Sequence, residues 1–361
     1  MTTDRPSTAS RRPTATRNSQ FLWIAGAIAL LLALNMTQDP GYLSISYSSG
    51  IGGLVGNVID ILRASAPLLM IAVGQCLVVA TGGIDLSVGS VMVASGAIAM
   101  QTLSSLDAPD SLGAAALALA LALLLGAALG LVNGLLVSVV GLQPFISTLV
   151  MMLAARGLAK MITSGQNTTA TNEPFRWLAN GYLLWLPAVF LIAVAIVVAV
   201  VLVVRRTALG MMIEAVGIEA EASRLAGINR RALLVTVYVA SGVLAAMAGV
   251  FATASVMTVD VSQTGYQLEL DAILAVVIGG TSLAGGKFSL GGAAMGALLI
   301  ATLDKTVVFL GVPSAATPAF KAVVIVALYL VQSPRVRSVV RARRPLSRRP
   351  PAAHDEEVAA T

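Results

Sequence analysis

The sequence predicts an all-α integral membrane protein of about ten spanning helices, and three observations carry that prediction. Of 361 residues, 57% are hydrophobic and only 11% are charged, with a mean hydropathy of +0.88. A soluble chain carries about 25% charged residues. Apolar runs long enough to cross a hydrocarbon core of about 30 Å recur from end to end. Sixteen of the 23 Lys and Arg residues fall in three clusters. These are Arg5 to Arg17, Arg205 to Arg231 and Arg335 to Arg349. Clustering of this kind marks cytoplasmic segments and anionic headgroups as neighbours, and argues against a nucleic-acid partner.

The expected spans lie near 21–36, 61–80, 85–103, 113–139, 145–163 and 183–204, then 232–257, 270–285, 289–309 and 319–333. Six precede the central basic segment and four follow it, so all three basic clusters fall on one side and both termini are cytoplasmic. The loops 104–112 and 258–269 hold Asp107, Asp110, Asp260 and Glu269 without Lys or Arg, which suits the outer side. Residues 1–20 and 334–361 are polar and read as disordered cytoplasmic tails. They flank a transmembrane domain over 21–333. The run 21–36 has no small-residue cleavage site and reads as a retained anchor.

Several chemistries are excluded by counting. His354 is the single histidine and Cys76 the single cysteine. Neither a metal site nor a Ser-His-Asp or Cys-His arrangement is available, and no cofactor is expected. The stretch Gly279–Phe288 superficially resembles a phosphate-binding loop. It has Thr281 where that loop needs glycine and Phe288 where it needs a hydroxyl, so it binds no nucleotide and the chain is not an ATPase.

The most informative segment is Thr81-Gly82-Gly83-Ile84-Asp85-Leu86-Ser87-Val88-Gly89-Ser90. Two glycines beside an acid break helical periodicity between two apolar runs, which is tolerated at membrane depth only where protein buries the backbone or water lines it. Asp85 is therefore a functional candidate. Its carboxylate either caps the following helix, accepting from the amides of Leu86 to Val88, or caps it and also lines a polar path. Asn133, inside the run 113–139, is expected to face protein or water. Arg156 and Lys160 share a helical face and either snorkel or line the same path. A G-G-x-x-L-x-x-G pattern occurs at 82–89 and again at 279–286, on the same predicted side.

The polar segment 205–231 reads as one or two short helices closed by Gly217 and Gly227, with Glu221 in the second. Met211, Met212, Val216, Leu225 and Ala226 give it an apolar face that suits either a groove on a soluble partner or the lipid surface.

These motifs carry a resemblance. The segment ATGGIDLSVGSVM resembles the signature of permease subunits of ribose/xylose/galactofuranose-type ABC sugar importers, and is most similar to the galactofuranose type. Leu131–Val137, Gln143–Leu149, Arg156–Ala159, Thr207–Gly210, Glu214–Gly217 and Glu269–Gly280 agree in order and spacing, over roughly 55–333. The resemblance implies a type II-like ABC importer permease fold. It also implies a dimer with a second permease copy, two cytoplasmic ATP-binding subunits and an external sugar-binding protein. ATP hydrolysis then falls to the partner, and the chain passes a pentose or a furanose-form hexose. Asp85, Ser87, Asn133, Gln143 and Phe145 become candidates for the substrate path, Phe145 either stacking on a sugar ring or packing. Glu214, Ala215, Gly217, Glu221 and Gly227 become candidates for ATPase coupling. The alternatives are a branched-chain amino-acid permease of the same class, or an ATPase-independent secondary transporter, for which more intramembrane acids are expected.

Overall fold

The computed structural model describes residues 17–50 and 52–332. In chain order the elements are α1 (Arg17–Gln38), β1 (Ser46–Ser48), β2 (Gly53–Val55), α2 (Asn57–Ala80), α3 (Val88–Leu106), α4 (Leu112–Leu135) and α5 (Pro144–Ile162). Then come β3 (Thr168–Thr169), α6 (Glu173–Asn180), β4 (Tyr182–Leu183), β5 (Leu186–Pro187), α7 (Ala188–Arg206), α8 (Leu209–Ile218) and α9 (Ala220–Leu225). Last are α10 (Arg230–Val256), β6 (Thr258–Val259), α11 (Leu268–Ile278), α12 (Leu290–Phe309) and α13 (Thr317–Gln332). The tails expected at 1–20 and 334–361 lie outside the described residues, except that Arg17–Gln20 already belong to α1. Residues up to Ser314 form one compact unit, and α13 belongs to a second.

Polar caps start four of the helices. Ser111, Asn172, Asn229 and Ser289 each accept a backbone N–H from the first turn of the helix that follows. A π-helical turn, Leu136–Val140, continues α4 and ends at Gly141 with φ of 81°. Pro144 then opens α5.

Helices α2, α3, α10 and α12 form the buried centre, while α1, α4, α5 and α7 leave most of their apolar surface outward. Close packing rests on glycine. Gly126, Gly130 and Gly134 recur every fourth residue, hence on one face of α4. A β-carbon there would strike, respectively, the Gly242 carbonyl with Ala246, the Tyr238 carbonyl, and Val235 of α10. Small residues at this spacing let membrane helices approach backbone to backbone. The opposite face of α4 presents Leu117, Leu124 and Leu131 outward.

Two ends of the bundle can be told apart. At one, α8 lies against the last turn of α2 and the turn between α11 and α12. Helix α1 runs parallel to α12, with Gln20 against Gly280 at this end and Asn35 donating to Thr306 Oγ1 at 2.9 Å further along. At the opposite end sit three small antiparallel ladders, β1–β2, β3–β6 and β4–β5. Asn172 ties the loop after α3 to this end, donating to the Ala108 and Ser111 carbonyls at 2.9 and 3.0 Å.

Eight helices among the described residues are long and apolar enough to cross a membrane, against the ten expected. Two expected spans are shorter. α13 has 16 residues. The run 270–285 yields only α11, 11 residues and about 16 Å long at 1.5 Å per residue, half of a bilayer core. Its apolar run continues through residues that stop a helix: Gly280 has φ of 86° and donates its N–H back to Val277. The span expected at 183–204 begins instead at Ala188, because 182–187 fold as the hairpin β4–β5.

Candidate functional site

The break between α2 and α3 sits in the buried centre, held by its own side chains and by polar side chains of four helices. Gly82, with φ of 81°, turns the chain out of α2. Asp85, 2% exposed, accepts at Oδ1 from the Ser87 amide (2.9 Å) and the Ser87 hydroxyl (2.6 Å), and at Oδ2 from Ser241 of α10 (3.0 Å). The Ser87 hydroxyl also accepts from Asn133 Nδ2 of α4 at 2.9 Å. Asn133 Oδ1 in turn accepts from Ser147 of α5 at 3.5 Å. The Thr148 hydroxyl donates to the Ile84 carbonyl at 3.0 Å. Gln75 of α2, its amide oriented to suit the backbone, donates to the Asp85 carbonyl at 2.9 Å and accepts the Asp85 N–H at 3.3 Å. The Ile84 carbonyl, the Asp85 N–H and carbonyl and the Ser87 N–H of the interrupted backbone therefore all have partners, as polar groups in a buried break require.

Three predicted residues, Asp85, Ser87 and Asn133, are thus brought together. All are buried, and Asp85 organises Ser87 rather than capping α3 alone. Gln143 and Phe145 lie nearby at the start of α5, but both are exposed, Phe145 by 48%. The sequence did not single out Gln75, Ser147, Thr148 or Ser241. The available signal was a polar residue inside an apolar run, which does not say which neighbours it meets.

The coupling candidates divide. Gly217 does not close α8 but lies inside it, because a β-carbon there would strike the Ala80 carbonyl and the Gly286 N–H. Those two groups are themselves bonded at 2.9 Å. The close backbone contact of Gly217 is therefore within this chain. Val216, expected on the outward face, is buried together with Ile213. Outward stand Met211 (73% exposed), Ile218 and Leu225 (76%). Glu214 and Ala215 are half-buried, and Glu214 borders a cavity with Arg205 and Phe288. Gly227, with φ of 84°, does end α9. Glu221 is exposed and paired with Arg224, whose guanidinium holds the carboxyl below its usual range. The two G-G-x-x-L-x-x-G turns meet at this joint, Gly285 lying against Gly82 and the Gly217 carbonyl.

At the opposite end, Lys305 of α12 bridges to Asp60 of α2 at 2.9 Å. Lys305 borders two adjoining cavities of about 340 and 440 Å³ that also share Ala64, Pro67, Ala252 and Ser255, and Asp60 lines the first of them. Arg63 lies over the Tyr182 ring and donates to its hydroxyl at 2.9 Å.

A buried break is thus fixed between packed spans, with the short segment α8–α9 seated against it, and comparison with known proteins shows the family. Residues 57–331 match the family of permease components of branched-chain amino acid transport systems. The chain belongs to that family. This permease is 54% identical to a fructose import permease protein of Bifidobacterium longum, over 89% of this chain and 90% of that one. It is 41% identical to a galactofuranose transporter permease protein of Escherichia coli, over 91% and 95%. It is 38% identical to a ribose import permease protein of Escherichia coli, over 85% and 92%. No solved structure matches the chain. The permease is a multi-pass protein of the bacterial inner membrane.

Proposed function

We propose that this permease is the translocation subunit of an ATP-driven importer for a monosaccharide, taken as a pentose or a furanose-form hexose. One observation carries the reading: the 54% identity with a fructose import permease extends over nine-tenths of both chains. Fructose, galactofuranose and ribose, named in three relatives, all have five-membered ring forms. In this reading the α8 end and both tails are cytoplasmic, in keeping with the positions of Arg205, Arg206, Arg230 and Arg231. Counting α11 with its irregular lead, and α13, gives ten passages.

A partner subunit hydrolyses ATP and pushes on α8 and α9, where Glu214, Ala215, Gly217, Glu221 and Gly227 lie. The outward Met211, Ile218 and Leu225 make the apolar contact. A second copy or a close paralogue completes the path, and an external binding protein delivers the sugar to the opposite end. Asp85, Ser87 and Asn133 hold the break that supports the path, and Gln143 and Phe145 stand on its wall.

The test is reconstitution of the permease with its ATP-binding subunit and binding protein in proteoliposomes. ATP-dependent accumulation of fructose or ribose is the expected result. Accumulation of leucine, isoleucine or valine in place of any sugar would assign the complex to the alternative that the family's name suggests.

A further inference from the structure

One stretch of the surface does not suit lipid. Residues 260–267 are irregular: Asp260 Oδ1 accepts from the Ser262 and Gln263 amides at 2.8 and 3.0 Å, and Gln267 has φ of 62°. The stretch descends into the bundle, because Gly265 and Gly89 pack backbone to backbone and the Glu269 carboxylate reaches Gly89. Gly89 lies in the first turn of α3, just beyond Ser87 and Asp85, which are level with Ser241 near the middle of α10. Beside Gly89, Tyr266 is 59% exposed and Glu269 is only half-buried, and Ser262 and Gln263, further toward the ladder end, are exposed as well. Irregular backbone and a carboxylate exposed at membrane depth require water or protein beside them.

Across the surface, Arg156 Nη1 of α5 donates to the Ser262 carbonyl at 3.1 Å and the Val261 carbonyl at 3.5 Å, and its charge acts on Glu269. Arg156 shares a helical flank with Leu149 and Phe145, both exposed.

We propose that Tyr266 and Glu269 line a water-filled path between α5 and α11 and contact the passing solute, which the transport reading makes a sugar. A carboxylate accepts from adjacent sugar hydroxyls, and a tyrosine ring packs against the C–H face of the sugar ring. Arg156 is a positioning residue, holding the segment that carries both.

Cysteines placed singly in a Cys76→Ala background test the path without any substrate. Tyr266→Cys and Glu269→Cys are expected to react with a charged, membrane-impermeant methanethiosulfonate in proteoliposomes. Reaction with a hydrophobic maleimide only, or with neither reagent, overturns the path. Solute contact has its own readout. Glu269→Gln is expected to lower the maximal uptake rate about tenfold with the KM for loaded binding protein unchanged, and wild-type uptake overturns it. Arg156→Ala is expected to raise the mobility of a spin label at position 263, with Arg156→Lys restoring order, and equal mobility in all three overturns the positioning role. Charged labelling together with failure to accumulate any sugar would keep the path and remove only the sugar reading.

Discussion

The Ser241 hydroxyl donates to Asp85 Oδ2 at 3.0 Å, so α10, a helix of 27 residues, is tied directly to the break between α2 and α3. Asp85 is buried and accepts from three donors, two of them on Ser87. Asp85→Asn keeps an oxygen for Ser87, and the Ser241 hydroxyl turns to accept from the new amide. Its thermal stability in detergent should stay within about 1 kcal/mol of wild type. Asp85→Leu leaves those donors without acceptors and should cost about 2–4 kcal/mol. Equal losses from the two variants would show that the hydrogen bonds do not hold the break.

Glycine in α4 gives a second contrast. A β-carbon at Gly130 meets the Tyr238 carbonyl of α10, whereas one at Gly157 of α5 meets nothing within 4 Å. Gly130→Ala should therefore lose about 1–3 kcal/mol through overpacking. Gly157→Ala should be neutral or gain up to about 1 kcal/mol, since alanine favours the helix. Unfolding curves in detergent read both, and a neutral Gly130→Ala would contradict the close crossing of α4 and α10.

The segment α8–α9 separates surface from support. Leu225→Glu changes an exposed side chain. It should leave the melting temperature unaltered while reducing co-purified ATPase about tenfold, as loss of an apolar anchor does. Gly217→Ala pushes α8 off the Ala80 carbonyl, so it should lower both stability and ATPase association. An unchanged ATPase ratio with Leu225→Glu would remove the outward face of α9 from the docking surface.

The Asp60–Lys305 pair is partly open to solvent at the mouth of the opposite-end cavities. A double-mutant cycle with Asp60→Ala and Lys305→Ala should give a coupling below about 1 kcal/mol, the usual worth of such a pair. A coupling above about 2 kcal/mol would mean that the surroundings remove the pair from water.

Much of the fold was legible because a span is a one-dimensional signal: apolar length predicts α2, α3, α4, α5, α10 and α12 without any knowledge of neighbours. The break at 81–87 was legible for the same reason, glycines and an acid being plain interruptions. α11 was misread because the residues after Ile278 stay apolar on average while Gly279 and Gly280 turn the chain. Length and hydropathy do not distinguish a half-helix from a whole one. Ser241 was invisible as a partner of Asp85, since a hydrogen bond between residues 156 positions apart leaves no local trace. The four-residue spacing of Gly126, Gly130 and Gly134 was present to be read and predicts a close crossing, though not against which helix. Val216 and Ile218 are equally apolar, and only the backbone contact at Gly217 decides which faces inward.

That contact has a mechanical consequence. The Ala80 carbonyl, the Gly286 N–H and the backbone of Gly217 meet with no side chain between them. Side chains change rotamer and so absorb small displacements, but bare main chain has no such give. In the proposed coupling, a push on α8 would therefore reach the last turn of α2, just ahead of Asp85, and the turn that leads into α12, through main chain alone. The joint is a rivet of bare main chain that pins α8 to the end of α2 and to the turn before α12.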